Sequence, residues 1–169
     1  AQAGEIAVIV KTTNSNFWQN VNKGAQAAIE GQSEHTMSFD GPAAESAIAD
    51  EVNLVENAIN RGVAGIVLAP SDPDALVPVV KRANENGIPV VIIDSMLADG
   101  AKGTYQAFLS TDNCAAGEEV AKRMIKDAGE TGKVAIMSYV AGVGSEIGRV
   151  GCFTDYLKKN SKLEIVGTL

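Results

Sequence analysis

Much is scarce or missing in these 169 residues, and each absence removes a class of function. No apolar run approaches the roughly 20 residues that a bilayer-spanning helix needs. The longest, residues 88–93, is strand-sized. No cluster of Lys and Arg interrupts a formal net charge of −7, so the attraction to phosphates on which nucleic-acid binders depend is missing. Neither nucleic acid nor direct membrane insertion is expected, and no helix-turn-helix pattern precedes Ile6, which disfavours a transcription regulator. The one histidine, His35, lies on a stretch that alternates polar and apolar residues, as a half-exposed edge strand does. With no Gly-x-Ser-x-Gly, no Gly-Lys-Ser/Thr loop and no metal-ligand spacing, neither enzymatic activity nor a metal or cofactor is expected. Cysteine is limited to Cys114 and Cys152, which permit one disulfide in an oxidising compartment, although isolated cysteines are more commonly small buried thiols. The start Ala1-Gln2-Ala3 resembles the small-residue tail of a secretory signal, so export is the expectation.

The chain does have a regular alternation of elements. Hydrophobic residues make up 46% of it, enough to bury a sizeable core. Apolar strand patterns at 6–10, 35–39, 63–69, 88–93 and 105–109 alternate with amphipathic helical patterns at 17–30, 44–61 and 74–86. In the second of these helices Ile48, Val52, Val55 and Ile59 recur at helical spacing, and Gly62 stands at its end. The pattern predicts an α/β fold with a doubly wound parallel sheet covered on both faces, in which 35–39 is the least buried strand. Beyond it come a helix at 114–126 behind the capping candidates Asp112 and Asn113, a strand at 133–138, a helix at 146–159 and a strand at 163–166. Residues 1–112 read as a complete lobe and 113–169 as the start of a second, incomplete α/β lobe. Two strands and two helices cannot cover both faces of a sheet, so the chain is expected to be a fragment, a proteolytic product or half of an assembly.

The stretch with the most chemistry comes directly after the first strand, where Ala7-Val8-Ile9-Val10 runs into Lys11-Thr12-Thr13-Asn14-Ser15-Asn16-Phe17-Trp18. A buried parallel strand delivers the residues after it to the carboxyl edge of the sheet, where open α/β folds hold their ligands. This loop has no glycine, so it cannot cradle a phosphate with backbone N–H groups. It offers an ammonium, hydroxyls, amides and two aromatics, a mixture suited to a neutral polyhydroxyl ligand. Phe17 and Trp18 fall at a helix start, where neighbours point about 100° apart, so at most one belongs in the core. Asp94 closes the most apolar strand and can accept two hydroxyl hydrogen bonds. Arg149 offers a planar fork of donors for vicinal hydroxyls, or an ion pair with Glu146 or Asp155. Replacing Asp94 by alanine is expected to abolish binding while leaving the fold intact.

Gly142-Val143-Gly144-Ser145-Glu146-Ile147-Gly148 lies between a strand and a helix and imitates a dinucleotide fingerprint, the mark of an oxidoreductase. Its spacing is off by one, and the acidic residue expected at the end of the next strand is missing. It reads instead as a flexible, ligand-contacting turn.

Taken in order, residues 8–24, Asp40-Gly41-Pro42, Ala69-Pro70-Ser71-Asp72, 90–94 and Ser110-Thr111-Asp112-Asn113 resemble the ribose-type periplasmic sugar-binding proteins. Lys11 with Phe17-Trp18 is most similar to the allose-binding members. The resemblance covers the whole chain and implies a two-lobed clamp with three crossings, truncated here in its second lobe. It implies a monosaccharide captured between the lobes and passed to an ABC permease or shown to a chemoreceptor. The implied location is periplasmic or extracellular, with lipid anchoring before processing as an option. The implied ligand residues are Lys11, Ser15, Phe17, Trp18, Asp94, Ser95 and, in the second lobe, Arg149; the implied first hinge crossing is Ser110, Thr111 and Asp112. The family often has Asn-Pro where this chain has Ser15-Asn16, and a basic residue where it has Ser95. Asp40-Gly41-Pro42 and Asp94-Ser95 also resemble relatives that bind the furanose-like signal autoinducer-2, an alternative ligand on the same fold. Half a clamp binding nothing is a further expectation to test.

Overall fold

The apolar stretches pair in parallel and build the five-stranded sheet of a first unit that ends at Leu109. In this computed structural model, which describes residues 4–169, the strands are β1 (Gly4–Ile9), β2 (His35–Asp40), β3 (Gly65–Leu68), β4 (Val90–Ile93) and β5 (Ala107–Leu109), in the order β2-β1-β3-β4-β5. The signal-like start Ala1-Gln2-Ala3 lies outside the described residues. Alternation along the strands sends side chains to two opposite layers. Ala7, Ile9, Ile66, Leu68, Val90 and Ile92 meet Val55 and Ile59 of the helix α2 (Ile48–Arg61), Val80 of α3 (Val77–Glu85) and Leu76 just ahead of it. On the other face Val8, Val10 and Ala69 meet Trp18, Val21 and Ala25 of α1 (Asn16–Ile29). Each fully buried Leu or Ile contributes about 2 kcal/mol, so this two-sided core dominates the unit's stability.

Local chemistry moves several boundaries from those the pattern predicts. The third helix starts at Val77, not 74, because Asp72 Oδ1 accepts from the backbone N–H groups of Asp74 (2.9 Å) and Ala75 (2.7 Å) and so turns the chain first. The second starts at Ile48, not 44, since the residues ahead of it form a turn. β2 is an edge strand, but it is half-buried, and the least buried strand is β5 at the opposite edge, exposed throughout its three residues. β5 is short and pairs with β4 alone, so no neighbour shields it.

The second unit, Ser110–Leu169, holds α4 (Asn113–Ala128), β6 (Thr131–Ile136), α5 (Gly144–Asn160) and β7 (Lys162–Thr168), with β6 and β7 parallel. Its boundary lies three residues before the one read from sequence, because Asp112 already caps α4 by accepting from Ala115 N–H at 2.9 Å. Val134 and Leu163 point toward Ala121, Phe153 and Leu157 of the two helices, whereas the alternate residues Lys133, Ala135, Glu164 and Val166 are exposed. One face of this small sheet is therefore covered and the other is open. Gly117 lets the helices touch, since a Cβ there would collide with the backbone of Arg149 and Phe153. Cys114 and Cys152 then join α4 to α5 through a disulfide. The buried-thiol alternative fails because Cys114 is exposed and Cys152 only half-buried.

Candidate ligand-binding site

The strand order reverses direction at β1, so the carboxyl ends of β1 and β3 flank the crevice in which open α/β sheets hold ligands. Lys11 follows β1, Ser71 follows β3, and Asp94 and Ser95 follow β4. β1 and β4 lie two strand spacings apart, about 10 Å, a gap that a lysine can bridge to an aspartate but a shorter side chain cannot. Lys11 Nζ bonds Asp94 Oδ2 at 2.7 Å and donates to Ser95 Oγ at 2.6 Å. Ser95 Oγ in turn donates to Asp94 Oδ2 at 3.0 Å. Lys11 and Ser95 are each 1% exposed, whereas the Asp94 side chain keeps 21% of its surface open. Of the trio, Asp94 is the member that meets solvent. It has φ 65°, the one positive value at a non-glycine among the described residues. Aspartate tolerates that conformation, and the lysine and serine hold it there.

The loop after Lys11 is pinned rather than loose. Asn14 Nδ2 donates to the Ala43 carbonyl at 2.9 Å, Gln19 Nε2 donates to the Thr13 carbonyl at 2.7 Å, and Asn14 N–H donates to Thr12 Oγ1 at 3.3 Å. The chain after β2 comes so close that a Cβ on Gly41 would lie 2.7 Å from the Val10 carbonyl oxygen. Ser15 caps α1 by accepting from Trp18 N–H at 3.3 Å, which satisfies one orphan donor of the first turn. Trp18 takes the core position at 2% exposure, and Phe17 stands 58% exposed, edge-on to it with centroids 4.9 Å apart and planes at 87°.

Two carboxylates that the sequence pattern did not single out are buried near the mouth. Glu45 is buried and its Oε1 accepts from Trp18 Nε1 at 2.8 Å. Glu51 is fully buried on α2, with Oε2 accepting from Ser71 N–H at 2.9 Å and no partner for Oε1. Burial pushes its carboxyl from the ordinary 4.5 up to about 7, outweighing the opposing donors of Ser71 and the attraction of Lys11. A signal for Glu51 existed: it lies three residues after Ile48 and four before Val55, on the apolar stripe. Glu45 precedes the helix and carried none.

In the second unit Arg149 is exposed on α5 beside a mostly apolar groove of about 420 Å³ lined by Val120, Met124, Met137 and Phe153. It forms no ion pair with Glu146 or Asp155 among the described residues. Ser110 Oγ donates to the Thr111 carbonyl at 2.9 Å, and Asn113 Nδ2 donates to Ser110 Oγ at 3.3 Å, where the chain leaves β5 and enters α4. The glycine-rich turn is closed by its own acid: Glu146 accepts from Ser138 Oγ at 2.9 Å and from Gly142 N–H at 3.3 Å. A carboxylate thus occupies the helix start at which a pyrophosphate would need free N–H groups. Among the described residues no group of three or more His, Cys, Asp or Glu could hold a metal, and no helix is long and apolar enough to cross a membrane.

A family model described as "Periplasmic binding protein domain" matches residues 6–169. The chain belongs to that family. It is 33% identical over 171 aligned positions to the D-allose-binding periplasmic protein of Escherichia coli K12, an alignment covering 98% of this chain and 55% of the relative. It is 35% identical over 130 positions to a D-ribose/D-allose-binding protein of Pseudomonas aeruginosa, covering 70% of this chain and 40% of that one. Among solved structures, an ABC transporter solute-binding protein from Agrobacterium vitis with bound D-fucose superimposes with a TM-score of 0.97 at 71% identity, covering 98% of this chain and 57% of that chain. The chain spans about half the length of the curated relatives it matches. These neighbours share the periplasmic-binding-protein type I fold, in agreement with the doubly wound sheet and the incomplete second lobe.

Proposed function

We propose that this chain grips a neutral monosaccharide of the ribose or allose kind and is the solute-binding component of an ABC importer, in the periplasm or outside the cell. The observation that carries the reading is Asp94: a carboxylate at the crevice edge, oriented from below by Lys11 and Ser95 and still open to solvent. Such a group accepts two sugar hydroxyls at once. Phe17, exposed on the same sheet edge, suits the apolar C–H face of a sugar ring. The names of the relatives, which bind allose, ribose and fucose, support the same ligand class. In this reading Lys11, Ser15, Trp18 and Ser95 support the groups that touch ligand. Arg149 belongs to the opposing lobe, and Ser110, Thr111 and Asp112 form the first crossing. Capture and release need no catalytic group, so the protein acts as a binder and not as an enzyme. Its partners are then a permease or a chemoreceptor. Glu146 at the glycine-rich turn speaks against a dinucleotide.

The test is an amide-resolved NMR titration of the chain with D-allose, D-ribose and D-fucose, with NAD and NADP as controls. Shifts confined to residues around Phe17 and Asp94 with at least one sugar are expected. Shifts with a dinucleotide and none with any sugar would overturn the proposal.

A further inference from the structure

We propose that Glu45 is a positioning residue for the ligand platform, acting through the Trp18 indole on the ring of Phe17. The inference rests on the sugar-binding reading, but its geometry stands by itself. Phe17 and Trp18 are neighbours in the first turn of α1, so their Cβ vectors diverge and one ring goes inward while the other goes out. The outward ring meets its neighbour at a steep angle, with 4.9 Å between centroids and the planes at 87°. What fixes the indole therefore bears on the platform.

Packing against Val8, Val10 and Ala69 holds the indole in its layer. The 2.8 Å hydrogen bond from Nε1 to Glu45 selects one orientation. Glu45 is itself held, because the segment that carries it is tied to the mouth loop by Asn14 and Thr12, both donating to the Ala43 carbonyl at 2.9 and 3.5 Å. Without the carboxylate, a buried indole N–H would lack its acceptor and would turn to find another. Phe17 would then lose its edge-on support.

Trp18 is the one tryptophan of the chain, so tryptophan emission reports on the surroundings of this indole. Glu45→Ala and Glu45→Gln should be compared with the parent protein by acrylamide quenching, by nuclear Overhauser contacts between the Phe17 and Trp18 rings, and by affinity for D-allose, D-ribose and D-fucose. Glutamine keeps the accepting oxygen. Glu45→Ala is expected to raise quenching, lose the ring contacts and weaken sugar binding by up to about tenfold, the size of one aromatic contact. Glu45→Gln is expected to restore all three. Unchanged ring contacts in Glu45→Ala, or a Glu45→Gln protein as impaired as the alanine form, would overturn the proposal. If the parent protein binds none of the sugars, the functional reading fails, and the ring contacts and quenching alone decide the role of Glu45.

Discussion

The two units are built from the same strand and helix grammar, but only the first is closed. Its five strands carry helices on both faces, and its polar residues are drawn inward into an ordered mouth. In the second, two strands are covered on one face, and Val120, Met137, Ile147, Val166 and Leu169 are all more than half exposed. The difference teaches where each unit's stability comes from. Burial on both faces of its sheet holds the first, whereas the second adds a covalent tie between α4 and α5 to a core on one face.

The largest effect is expected from removing that tie. Replacing both Cys114 and Cys152 by serine frees a 38-residue separation and should cost about 4 kcal/mol in the chain-entropy account. Hydrogen exchange followed by mass spectrometry should then show protection lost across residues 110–169 and kept across 4–109. Simultaneous loss in both would show that the units are one cooperative body.

The next effect belongs to the first unit. Asp94→Ala removes the carboxylate that pairs with Lys11, itself 1% exposed, and places alanine at φ 65°. A cost of about 3 kcal/mol is expected, so the substitution does not leave the fold untouched as the sequence alone implies. Urea unfolding followed by Trp18 emission reads the first unit selectively. Much of the loss should return in the Lys11→Met/Asp94→Ala double variant, which no longer buries an unpaired ammonium; no recovery would mean that the backbone conformation dominates.

The smallest effect is a pH slope. The Glu51 carboxyl titrates near 7 in the folded chain and near its ordinary 4.5 when unfolded, so between those values the folded state binds the extra proton. Its contribution to stability is therefore greatest below about pH 4.5, falls as pH rises and levels off above 7. Glu51→Gln should flatten this slope and raise stability at pH 8 by about 2 kcal/mol, read as the first unit's urea midpoint. An unchanged slope would place the titrating group elsewhere.

The strands and helices of the first unit were legible because their apolar residues recur with periods that local geometry imposes. Trp18 against Phe17 was legible as a choice, one in and one out, but not as which. Ser95 and Lys11 looked like groups offered to a ligand, yet both turn away from solvent to hold Asp94. Glu51 lay on the apolar stripe of the second helix, a signal that was present in the sequence but not singled out there. Glu45 did not, because the residues before a helix carry no periodicity.

From its sequence alone the chain has its layered α/β class, its non-phosphate mouth and its resemblance to sugar-binding clamps, since period, glycine placement and residue chemistry are local properties. Tertiary structure decided which polar side chains work beneath the mouth and which stand at it. Lys11 meets Ser95 across 84 positions, Trp18 meets Glu45 across 27, and Ser71 meets Glu51 across 20. Partners so far apart are selected by sheet order and packing, which no single window of sequence contains.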